Sequence, residues 1–322
     1  MSYSSQHSAA MNGSRMSYSV FVPPGFAPEE RLPLVVFLHG AGDGPDAFDR
    51  HGVSARLERA MSSGRLARAV VLLPDGGLGL WANWADETRR YEDWVVEELM
   101  PMVRARYHTA ACPGACHVMG VSVGGFGALR FALHRPDRFS TVAAISAPVL
   151  DADQMYGLLS AHAYAALVPT HRIFGPVPCR SCLRADDPFH RWTSRARTGM
   201  RRIVVAWGSA DRPVVAQTSR ALAGHLEACS IPHDAWEFEG RHRWSSWAAV
   251  IERALKAQLR AAAGSTRVRA GAPAPAPTGW AVEEPTRTGA AEAGRRDRRC
   301  EPPARALRPR PCRTAPSPSA RA

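Results

Sequence analysis

The sequence predicts an α/β fold built on a doubly wound, mostly parallel sheet. Three observations predict it. Short apolar runs at 34–38, 69–73 and 203–207 show no polar alternation, as strands buried on both faces require. Stretches with helical periodicity separate them, at 53–61, 92–106, 214–229 and 244–259. Each run ends in a glycine-bearing loop, the end at which open α/β sheets bind ligands.

Taken in order, residues 1–15 are polar and Ser-rich and read as a disordered leader, with Met11 and Met16 as alternative starts. Residues 17–22 alternate as an edge strand, closed by Pro23-Pro24-Gly25. The run at 34–38 leads into His39-Gly40-Ala41-Gly42, and the run at 69–73 into Pro74-Asp75-Gly76-Gly77. The loop that follows carries Trp81, Asn83 and Trp84, either core lids or substrate walls. An amphipathic helix over 92–106 precedes a third buried strand starting at Cys116.

That strand ends in Gly120-Val121-Ser122-Val123-Gly124, and a helical pattern begins at once. A serine on a sharp strand-to-helix turn adopts strained dihedrals, and glycines two residues either side avoid collision with neighbouring backbone. Residues 139–145 form a further strand ending at Ser146. From 150 to 198 Pro, Gly and Cys break the pattern, which predicts an insertion of short helices and loops covering the site. The strand at 203–207 is followed by Gly208 and Asp211, and an alternating strand at 234–238 by Gly240 and His242. The predicted domain covers 16–262. Beyond it, residues 264–322 are rich in Ala, Pro, Gly and Arg and read as a disordered tail.

Ser122, Asp211 and His242 therefore stand at strand ends in the chain order Ser, Asp, His. A serine hydroxyl needs a base to take its proton, and the imidazole needs a carboxylate to hold its tautomer. Asp234 is the rival carboxylate, but it precedes its strand and would lie at the opposite edge of the sheet. Asp211 as a helix cap is the structural alternative. The oxyanion donors are expected from the Val123 N–H and the Ala41 N–H, with Gly40 as the other choice. Substrate contacts are expected from His39, Gly40, Trp81, Trp84 and Trp244, with His39 orienting its loop.

The net charge of +12 invites a nucleic-acid reading, but twelve Arg against five acids fall after residue 263, about +7 of the total. Nucleic acid and membrane are thus not expected partners, and a small-molecule ester is. The rival from another class is a non-catalytic scaffold whose Arg-rich tail binds nucleic acid or acidic partners. No apolar run approaches the ~20 residues of a membrane span, and no apolar leader is visible, so a cytoplasmic location is the expectation. The seven Cys are expected to be reduced. Cys112, Cys116, Cys179 and Cys182 are read as incidental rather than as a metal site, and no cofactor is expected.

The chain resembles the esterase D and feruloyl-esterase-like branch of the α/β-hydrolases, related to the antigen 85 mycolyltransferases. The resemblance rests on Phe37-Leu38-His39-Gly40, Trp81-Ala82-Asn83-Trp84, Glu97 to Tyr107, the Ser122 frame, and Gly240-Arg241-His242-Arg243-Trp244-Ser245-Ser246-Trp247. It implies an α/β-hydrolase fold and a serine esterase with Ser122, Asp211 and His242 as catalytic triad, acting on carboxylic esters or thioesters through an acyl-enzyme. Acyl transfer to an alcohol is the alternative on the same fold.

Overall fold

The computed structural model describes residues 1–160, 168–175, 179–193 and 199–263. In chain order the elements are β1 (Ser2–His7), β2 (Arg15–Phe21), β3 (Leu34–Leu38), α1 (Ala47–Arg50), α2 (Val53–Ser62) and β4 (Val70–Pro74). Next come α3 (Tyr91–Asp93), a π-helical stretch (Trp94–Leu99), α4 (Met100–Arg106), β5 (Cys116–Val121), α5 (Val123–His134) and β6 (Thr141–Ile145). The remainder is α6 (Ala152–Ser160), α7 (Thr170–Ile173), α8 (Arg180–Ala185), α9 (Pro188–Arg191), β7 (Arg202–Ala210), α10 (Pro213–Ala228), β8 (His233–Arg241) and α11 (Trp244–Ala263).

These strands form one eight-stranded sheet in the order β1-β2-β4-β3-β5-β6-β7-β8. The pairs from β4 to β8 are parallel, and β1 and β2 add an antiparallel edge. The sheet is thus the mostly parallel one that the strand pattern predicts, and the fold is the α/β-hydrolase type that the resemblance implies. Its unbroken apolar runs have a direct cause: alternate residues feed two separate cores. In β3, Leu34, Val36 and Leu38 join the cluster beneath α4, α5 and α10, while Val35 and Phe37 join the one beneath α2 and α11. Both faces exclude water, so neither has use for polar side chains.

Two expectations are corrected. Residues 2–7 are not a loose leader but β1, paired antiparallel with β2 from Ser2↔Val20 to His7↔Arg15. The following turn drives Met11, 0% exposed, into the core, and Glu98 Oε1 accepts the Ala10 N–H at 2.7 Å. An edge strand with one neighbour needs few apolar side chains, so its polar sequence hid it. Cys112 and Cys116, expected as thiols, form a disulfide. The chain turns back between them, bringing their Cα atoms to 5.0 Å, within the usual bridging range of about 4.4–6.8 Å. Residues 264–322, expected to form a disordered tail, lie outside the described residues. Among the described residues no helix is long and apolar enough to cross a membrane.

Candidate active site

Five strands adjacent in the sheet, β3, β5, β6, β7 and β8, each deliver a residue at the same end: Gly40, Ser122, Ser146, Asp211 and His242. Their backbones interlock, since Ser122 N–H donates to Ile145 O at 2.9 Å and Ser146 N–H to Ala206 O at 2.7 Å. The strand ends are therefore held in register before any side chain acts.

Ser122 sits between β5 and α5 at φ +55° and ψ −127°, a conformation that non-glycine residues rarely adopt. The flanking glycines explain how it is tolerated. A Cβ at Gly120 would lie 2.2 Å from Gly124 O, and one at Gly124 would lie 2.0 Å from Leu38 O. Only bare backbone lets α5 approach β3 and β5 this closely.

The Ser122 hydroxyl lies 2.9 Å from His242 Nε2, and His242 Nδ1 lies 2.7 Å from Asp211 Oδ1. An ionised carboxylate can only accept, so Nδ1 carries the proton and Nε2 is free to accept from Ser122. This chain of contacts can move a proton from the hydroxyl to the imidazole. The Asp211 side chain is fully buried, and His242 is 12% exposed. Burial pushes the Asp211 carboxyl up, but hydrogen bonds from His242, Ser146 and the Arg212 and Gly208 amides outweigh it and hold the carboxyl below its ordinary range.

Sequence reasoning missed Ser146 and gave Trp247 no role in the site. Ser146 Oγ donates to Asp211 Oδ2 at 2.5 Å and accepts from Trp247 Nε1 at 2.9 Å. The Trp247 ring meets His242 edge-on with centroids 4.9 Å apart, so one tryptophan braces both partners of Asp211. A register irregularity in β7 between Gly208 and Ala210 turns the strand end toward this cluster. Asp234 is placed far from it by topology, at the start of β8, 3.6 Å from Arg202.

Val123 opens α5, so its N–H is a first-turn donor without an intrahelical acceptor. Ala41 is exposed in the loop after β3, beside Gly40, where a Cβ would lie 3.4 Å from Ser122 Cβ. Val123 and Gly40, the neighbour of Ala41, thus lie beside Ser122 on separate elements.

The expected substrate contacts stand apart from the cavity found beside the serine. Beside Ser122 and His242 lies a cavity of about 470 Å³ whose walls include Leu80, Phe126, Leu150, Met155, Phe174 and Val215. None of His39, Gly40, Trp81, Trp84 or Trp244 lines it. His39 is buried with both ring nitrogens engaged: Nδ1 donates to Gly40 O at 2.8 Å and Nε2 accepts from Gly76 N–H at 2.9 Å. Trp81, 2% exposed, donates to His39 O at 3.2 Å and fills the space that a Cβ at Gly127 would occupy. Trp84 is covered by the Arg172 guanidinium at 4.8 Å. Trp244 donates to Asp43 Oδ2 at 2.9 Å and stacks on His51, tying α11 to the Ala41 loop. These side chains support loops, because their polar atoms already have partners inside the fold. The described part of the 150–198 insertion supplies cavity wall through α6 and Phe174. Among the described residues no cluster of three or more His, Cys, Asp or Glu is arranged to hold a metal ion.

The family model described as "Putative esterase" matches residues 8–257. The chain is 26% identical over 246 residues to Esterase Rv1288 of Mycobacterium tuberculosis (strain ATCC 25618 / H37Rv), covering 70% of this chain and 52% of that protein. It therefore spans about half the length of the curated relatives it matches. Among solved structures, a ferulic acid esterase superposes with a TM-score of 0.67 at 19% identity, covering 80% of this chain and 97% of the other. FphF, a fluorophosphonate-binding serine hydrolase of Staphylococcus aureus, superposes with a TM-score of 0.66 at 19% identity and the same coverage.

Proposed function

Because this chain belongs to the esterase family, we propose that it hydrolyses carboxylic esters through a Ser122–His242–Asp211 triad. The observation that carries this reading is the unbroken contact from Ser122 Oγ to His242 Nε2 and from His242 Nδ1 to Asp211, on a turn that forces Ser122 to φ +55°.

His242 takes the Ser122 proton as Oγ attacks the ester carbonyl. Asp211, kept ionised by its hydrogen bonds, stabilises the imidazolium that forms. The Val123 and Ala41 N–H groups receive the developing oxyanion, and the α5 N-terminus adds partial positive charge there. His242 then protonates the leaving alcohol, and an acyl-Ser122 ester remains. In the second half His242 takes a proton from water, hydroxide attacks the acyl carbonyl, and Ser122 leaves with the proton returned. The cavity beside Ser122 suits an apolar substituent of the ester.

Ser122→Ala is expected to lower p-nitrophenyl acetate hydrolysis by at least about a thousandfold and to abolish labelling by a fluorophosphonate probe, with an unchanged circular dichroism spectrum. Undiminished hydrolysis in that variant would overturn the assignment.

A further inference from the structure

The cavity beside Ser122 carries one permanent charge among its described lining residues, and that charge is Arg212. We propose that the site selects esters whose apolar body bears an anionic group, a carboxylate or phosphate, held by the Arg212 guanidinium. This inference rests on the ester-hydrolase reading above.

Arg212 follows Asp211 directly, and its backbone N–H donates to Asp211 Oδ1 at 2.8 Å. Pro213 opens α10 immediately after it, so the backbone at Arg212 is fixed from both sides. Arg212 stands with His242 among the residues lining the cavity, and it is exposed at the cavity's edge. Arg130, Arg135, Arg172 and Arg220 all have carboxylate partners within the fold. Among the described residues no acid, carbonyl or ring partners the Arg212 guanidinium. The adjacent carboxylate does not serve it either, because both Asp211 oxygens are taken by His242, Ser146, Gly208 N–H and Arg212 N–H.

The remaining walls set the selectivity. Leu80, Phe126, Met155 and Leu158 offer nothing to an ion, so an anion entering among them would lose its hydration without return. A guanidinium at the same wall restores it with charge-assisted, fork-shaped hydrogen bonds. The N-terminus of the sixteen-residue α10 adds partial positive charge at the same point. A cationic ester meets the opposite field and is rejected.

The test compares matched esters in wild type, Arg212→Gln and Arg212→Lys. One pair places the anion on the acyl side: 4-nitrophenyl hexanoate against mono-4-nitrophenyl adipate. The other places it on the alcohol side: ethyl hexanoate against O-hexanoylglycolate. In at least one pair the wild type is expected to favour the anionic ester, and Arg212→Gln to lower the anionic-to-neutral ratio of kcat/KM by about tenfold. Arg212→Lys should fall between them, and the pair affected identifies which side of the ester the residue reads. Ratios unchanged in Arg212→Gln for both pairs would overturn this inference alone. A wild type that hydrolyses none of the four esters would overturn the hydrolase reading and this inference with it.

Discussion

Two serines at strand ends adopt positive φ, Ser122 at +55° and Ser146 at +48°. The first was legible because glycines must flank such a turn where backbone passes within van der Waals reach. The second was not, because its requirement is a hydrogen bond to Asp211, 65 residues away. Ser146 shares the second oxygen of the carboxylate with the Gly208 N–H, so its loss leaves buried Asp211 with one donor fewer. Ser146→Ala is expected to lower kcat about tenfold with little change in KM, since it touches the imidazolium's partner and not the cavity. Steady-state kinetics across substrate concentration checks this, and a fall confined to KM would contradict it.

At the scale of elements, the helix that follows Ser122 is tied to its surroundings by charge. His134, at the end of α5, meets Glu92 Oε2 through Nδ1 and Asp186 Oδ1 through Nε2, each at 2.8 Å. Both ring nitrogens face carboxylates, so the ring is held as a cation. Arg135 reaches Glu92 and Asp93 as well, and Arg130 Nη1 stands 3.1 Å from Asp186. Burial pulls the His134 pKa down, but the hydrogen bonds to Asp186 and Glu92 outweigh it and leave the pKa raised. A raised folded pKa contributes stability that is complete below the unfolded value of about 6.5 and is lost as pH rises through the folded pKa. The denaturation midpoint gap between wild type and His134→Gln should therefore be wide at pH 6 and narrow toward pH 9. A gap constant over that range would contradict the latch. Periodicity located α5 but could not show this tie, because Asp186 lies in the irregular 150–198 stretch.

At the scale of the molecule, the sheet's first edge is built by residues whose sequence looks unstructured. β1 covers β2, and the turn after it seats Met11 in the same core cluster as Trp94 and Leu99. Deleting residues 1–15 is expected to destabilise the fold by about 2–5 kcal/mol, the scale of emptying a buried Met site. Urea denaturation of the truncated and full chains checks this, and coincident transitions would return these residues to the status of a leader. The charge distribution also belongs to this scale. Much of the excess of Arg falls after residue 263, so the net charge of the chain says little about the described fold.

The parallel strands, their order along the chain and the turn at Ser122 were all determined by the sequence alone, because each rests on local periodicity or steric need. Apolar runs without alternation have no other stable placement than a doubly covered sheet, and a serine in a Gly-x-Ser-x-Gly frame between strand and helix has few conformations open to it. Strand ends bearing Asp211 and His242 followed from the same pattern. Which side chains meet at those ends was decided by the tertiary structure. Sheet order differs from chain order, and direction depends on distant partners, 120 residues apart for Ser122 and His242. Trp81, open to reading as core lid or substrate wall, and Trp244, expected as a substrate contact, both have N–H groups with acceptors within the fold. The cavity beside the serine is lined by Leu80, Met155, Phe174 and Val215, whose common surface exists only once the insertion and α10 pack around the serine.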